Sequence, residues 1–184
     1  MKHSFETTTG VTVSAFLMLL ISAIPAKAYA YVGDVPDGGF TERQITCSTG
    51  NFKGEAVVKT HRRNVTVGGT SQQQWTAEIL RYRITRFNGQ SGGNKANVNL
   101  SLDTWNGKSG NYRDHGWAKS PDAMRQDGQW HNLSMFLQGA NGDTTSYPPE
   151  MSQAETTVQF IFDKSGSDPS CKAKTGRYHG QPRG

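Results

Sequence analysis

The 184 residues carry 20 Lys and Arg against 15 Asp and Glu, a formal charge of +5 that leaves the body of the chain close to neutral once its basic end is set aside. Cys47 and Cys171 stand far apart, with no Cys-x-x-Cys and no Cys/His cluster near them, which argues against a metal or a reactive-thiol pair. No Gly-rich phosphate loop follows a strand and opens a helix, which argues against nucleotide chemistry.

The chain opens with Lys2 and His3, followed by an apolar run from Val11 to Pro25 whose centre is uncharged. Such a run falls short of the about 20 apolar residues that a membrane span requires. Pro25 stops a helix. Ala26-Lys27-Ala28 and Ala28-Tyr29-Ala30 then offer small-x-small cleavage patterns, so residues 1–30 read as a secretory signal peptide cut after Ala28 or Ala30. Cleavage after Ala30 leaves 154 residues with a formal charge of +4, one ordinary domain, and no transmembrane segment is expected in it. The expected destination is the periplasm or the medium. In an oxidising compartment the two cysteines are expected to form one disulfide that brings the two ends of the domain together.

Past the signal no amphipathic helical pattern stands out, and period-two alternation recurs instead. Glu55–Thr60 and Asn64–Val67 read as short strands. Trp75–Phe87 is the longest, and its apolar face passes from Trp75, Ala77 and Ile79 to Leu80, Tyr82 and Ile84. That switch predicts a β-bulge, or a strand that passes between sheets. The cleanest alternation puts Ala96, Val98, Leu100 and Leu102 on one face, with Asn97, Asn99, Ser101, Asp103 and then Trp105 on the other. Trp130–Gln138 alternates too, although Phe136 interrupts its polar face. Thr156–Asp163 buries Val158, Phe160 and Phe162. Asn-Gly, Gly-Gly and Pro-Pro pairs separate these runs, and Ser120–Arg125 is long enough for one helical turn. The pattern predicts an all-β domain over residues 31–171, an antiparallel sandwich of jelly-roll-like or Ig-like type, with a β-barrel as the alternative. Residues 172–184, with Lys172, Lys174, Arg177 and Arg183 and no acid, read as a basic flexible tail.

Chemistry-bearing side chains concentrate between Trp105 and Trp117. Aromatic faces stack on the apolar side of a sugar ring, while amides and carboxylates bond its hydroxyls, and such residues gather on loops of rigid scaffolds. The expected binding set is therefore Asn97, Asn99, Ser101, Asp103, Trp105, Tyr112, Arg113, Asp114, His115 and Trp117. The expected function is that of an exported binding protein for a cell-envelope or extracellular glycan. One alternative is a module that meets another exported protein, as an enzyme inhibitor or an assembly subunit. The other is a small secreted hydrolase, which needs Asp103, Asp114 and His115 to converge. No hydrolase signature such as G-x-S-x-G and no histidine pair at metal-binding spacing is present, so the reading leans away from an enzyme, with no cofactor, no metal and no nucleic-acid partner. His61-Arg62-Arg63 and the Arg81/Arg83 pair read as solvated charge on strand faces.

Overall fold

The computed structural model describes residues 31–106, 111–143 and 152–180. Residues 1–30, which read as a signal peptide, and residues 181–184 lie outside them. Among the described residues there is no helix, and the strands are β1 (Tyr31–Val35), β2 (Phe40–Thr49), β3 (Phe52–Val67), β4 (Thr70–Arg86), β5 (Asn97–Asn106), β6 (Asn111–Ala118), β7 (His131–Asp143), β8 (Ser152–Ile161) and β9 (Ser170–Gly180). They form a five-stranded sheet ordered β1-β9-β8-β5-β6 and a four-stranded sheet ordered β2-β3-β4-β7. The two sheets pack face to face as a β-sandwich, and neither closes into a barrel.

The alternating apolar rows fill the space between the sheets. Val98, Leu100 and Leu102 of β5 and Val158 and Phe160 of β8 meet Ala56 and Val58 of β3 and Trp75, Ala77 and Ile79 of β4 in one buried cluster. Trp75 needs a partner for its indole N–H in such a place. It donates to Ser152 Oγ at 2.7 Å, a bond that crosses from one sheet to the other.

The face switch in the longest strand is a bulge, and the strand does not change sheets. Val57 and Val58 of β3 face Arg81 and Ile79, leaving Leu80 as the extra residue, and the pairing of β4 with β7 shifts at the same place. One inserted residue restores the parity, so Tyr82 and Ile84 point into the same core as Ile79. The two short strands expected at Glu55–Thr60 and Asn64–Val67 are parts of the single strand β3. Ser120–Arg125 forms no helical turn; Met124 makes an isolated antiparallel bridge to Ala96. β6 occupies part of what reads as a long loop, Asn106–Gln129.

The largest departure is at the carboxyl end. Residues 172–180 are not a tail but most of β9, paired antiparallel with β8 and parallel with β1. The basic side chains of this strand lie on its outer face, while Ala173, Thr175 and Tyr178 are buried, so alternation here is carried by small and amphipathic residues that no apolar scan detects. Arg62 departs as well. It is fully buried, its Nε donates to Val35 O at 2.9 Å, and its Nη1 bonds Gln73 Oε1. Burial lowers its pKa from the ordinary arginine value, with nearby Asp37 acting in the other direction. A charge inside a core persists only with such partners, and here they hold the end of β1 against β3 and β4.

Cys47 of β2 and Cys171 of β9 are bonded, with 5.9 Å between their Cα atoms and a separation of 124 positions in sequence. The bond ties one sheet to the other. By the chain-entropy account a closed loop of this length is worth on the order of 4 to 5 kcal/mol. Replacing both cysteines by alanine is expected to lower the unfolding free energy by about that amount in urea titration; a loss below about 1 kcal/mol would show that the strand ladders already constrain the ends.

Candidate binding face

The polar parity of β5 and its neighbours forms the outer face of the five-stranded sheet. Register places Trp117, Ser101, Thr157 and Lys174 in one cross-strand row, and Asp114, Asp103, Glu155 and Arg177 in a second. A third row runs through Tyr112, Trp105, Gln153 and His179. Two bulges sit between the first and second rows. In β6, His115 and Gly116 together oppose Leu102; in β9, Thr175 and Gly176 together oppose Thr156; and Leu102 and Thr156 are themselves partners. The insertions therefore lie at one level of the sheet, on either side of its two middle strands. Gly116 (φ 78°) and Gly176 (φ 79°) occupy the left-handed conformation that a bulge of this kind requires and that other residues rarely adopt. Bulges bend a strand and re-aim the side chains beside it.

Beside them lies an open depression of about 350 Å³ lined by Asp103, Trp105, Tyr112, Glu155 and Lys174. Tyr112 is 54% exposed, its ring centroid is 5.4 Å from that of Trp105, and its hydroxyl donates to Asp103 Oδ1 at 3.0 Å. Lys174 Nζ pairs with Glu155 Oε1 at 2.5 Å. Arg177 reaches across β8 to lie 3.8 Å from the Trp105 ring centroid, and its Nη1 donates to Gln153 Oε1 on the way. Lys172 lies 5.2 Å from the ring centroid of Trp117. Two cation–aromatic contacts thus cross this face, with the row of Asp114, Asp103 and Glu155 between Trp117 and Trp105.

Electrostatics keep the acid and the phenol protonated over a wider range than usual. Partial burial raises the Asp103 pKa, reinforced by Asp114 and Glu155 and opposed by the Tyr112 hydrogen bond and Lys174. Desolvation and then the Asp103 carboxylate push Tyr112 up to about 12, so its hydroxyl is a donor at neutral pH. A face with this composition offers a ring for stacking, the Asp103 carboxylate to accept from hydroxyl groups, and the Lys174 ammonium, held in place by the buried Glu155, to donate to them.

Of the ten residues the sequence singles out, Asp103, Trp105, Tyr112 and Asp114 come together here, with Trp117 at the side. Ser101 lies on the same face but is buried. Asn99 is spent on structure: its Oδ1 accepts from Ser120 N at 3.3 Å and its Nδ2 donates to Gln159. Asn97 is engaged with the same turn through Ser120 O. Arg113 is the register partner of Thr104 and shares the opposite parity. His115 is also turned away; its Nε2 is hydrogen-bonded to the fully buried Thr104 Oγ1 at 2.8 Å. Its ring packs so tightly on Gly139 of β7 that a methyl group added there would lie 2.4 Å from it. Asp103, Asp114 and His115 consequently do not converge. Among the described residues no group of His, Cys, Asp and Glu is placed to hold a metal ion. Glu155 and Lys174 escape a reading of the sequence because one falls in a run of threonines and the other in what reads as a tail.

No protein-family model matches the chain, and no curated protein matches it.

Burial first, then the Arg113 charge, lowers the pKa of His115 from its ordinary 6.5. The unfolded chain then takes up a proton that the folded one refuses, so the stability contributed by the neutral ring is complete above about pH 6.5 and is lost as pH falls below it. Urea unfolding at about pH 7.5 and about pH 5.5 is expected to show a smaller acid-side drop in His115→Gln than in the parent. Equal drops would place the proton uptake elsewhere.

Proposed function

We propose that the protein is an exported glycan-binding domain whose contact surface is the outer face of the five-stranded sheet. The observation that carries this reading is the half-exposed Tyr112 ring beside Trp105, lining one depression with Asp103, Glu155 and Lys174. Sugars present an apolar ring face and an array of hydroxyls, and these are the complementary groups. Export is supported by the signal-like opening and by the Cys47–Cys171 disulfide. Rigid strands present the set, which limits the ordering cost of binding. In pull-down with cell-envelope and extracellular polysaccharides, the protein is expected to bind, and Tyr112→Ala and Asp103→Asn are each expected to weaken capture by about tenfold or more. His61→Ala, on the other sheet, is expected to leave it unchanged. Capture indifferent to both site changes would overturn the assignment.

A further inference from the structure

The outer face of the four-stranded sheet carries a second depression, on the opposite layer from the proposed glycan face and independent of it. It is open, about 220 Å³, and lined by Lys59, His61, Thr76 and Glu78. Register puts Glu42, Lys59, Glu78 and Phe136 in one row across β2, β3, β4 and β7. A lysine with a carboxylate directly opposite on each neighbouring strand has two natural partners. Lys59 takes neither. Its ammonium lies 4.2 Å from the ring centroid of Phe40, and among the described residues no ion pair joins it to Glu42 or Glu78. Glu78 turns the other way, where its Oε1 accepts from Ser134 Oγ at 3.2 Å. The two opposite charges thus line one depression with His61 and Thr76 without an ion pair between them, and Phe136, the register partner of Glu78, is 63% exposed. That ring interrupts the polar pattern of β7 and sits at the Glu78 edge of the depression.

We infer that this depression binds a small zwitterionic peptide, a dipeptide with free ends and an apolar side chain. Its carboxylate meets Lys59 and His61, its ammonium meets Glu78, and its side chain lies on Phe136. A neutral sugar would leave both charges unanswered, and a simple anion or a simple amine would answer only one. Separate walls of opposite sign select a ligand that carries both.

The test is a nuclear magnetic resonance titration of the isotope-labelled protein with L-alanyl-L-phenylalanine, beside the same dipeptide acetylated at its amine or amidated at its carboxyl. The expected result is saturable movement of the Lys59, His61 and Glu78 resonances at on the order of millimolar dipeptide, with each blocked form and each of Lys59→Met and Glu78→Gln about tenfold weaker or worse. Both substitutions are on the solvent side of the sheet, and unchanged spectra elsewhere verify the fold. No movement, or movement that the blocked forms reproduce in full, overturns the inference. Tyr112→Ala, which tests the glycan face, is expected to leave this titration unchanged, so the two readings fail separately.

Discussion

The bond between Cys47 and Cys171 joins the two layers, and the position of β9 depends on it more than on any apolar contact. β9 contributes only Ala173 and Tyr178 to the hydrophobic core, so burial alone holds it weakly. Covalent attachment to β2, with the ladder to β8 on one side and the parallel pairing with β1 on the other, fixes the strand in register. Lys172, Lys174 and Arg177 then reach the outer face as an ordered row instead of hanging in solvent.

The proposed glycan face depends on that placement. Without β9 there is no Lys174 beside Glu155 and no Arg177 over Trp105. The glycine bulges at 116 and 176 complete it from the two flanks, because each inserts one residue at the same level of the sheet and re-aims the side chains on either side of it. In β6 the insertion allows Trp117 to share the outer face with Tyr112 and Asp114, although their numbering parities differ, and allows His115 to turn inward onto Gly139. The same local device thus serves the exposed face and the seam between the two sheets.

Charges inside or close against the sheets are each accounted for by partners. Glu55 is nearly buried on the outer side of the four-stranded sheet, where Arg83 at 2.7 Å and Lys53 at 3.0 Å hold its carboxyl below the usual range despite desolvation. Arg83 and Arg81 share the face the alternation predicts, but they lie 4.8 and 5.0 Å from the Trp130 ring centroid instead of standing free in water. Lys59 and Glu78 are the exception, adjacent and opposite in charge yet turned apart.

The amino-acid pattern alone determined the all-β class, the preference for a sandwich over a barrel, the face switch at Ile79/Leu80, the apolar row of β5 and the cysteine pairing, since period-two burial and a single disulfide choice are local or arithmetic properties of the chain; that the switch is a bulge and not a crossing between sheets is decided by the strand pairing. It also singled out Asp103, Trp105 and Tyr112 as neighbours in the chain, although the segment after Trp105 reads as a loop, and only the pairing of β5 with β6 puts the three on one face. Tertiary structure alone decided the rest. β2, which adds only Ile45 and Cys47 to the apolar core, and β9, in which Lys172 and Lys174 alternate with Ala173 and Thr175, carry no strong apolar alternation, and their strand character comes from the neighbours that supply their hydrogen bonds. Arg62 reads as surface charge until Val35 and Gln73 surround it, and His115 reads as a site residue until a bulge turns it inward. Glu155 and Lys174 join the site across strand pairings that sequence distance does not encode, because register between strands is a property of the folded sheet.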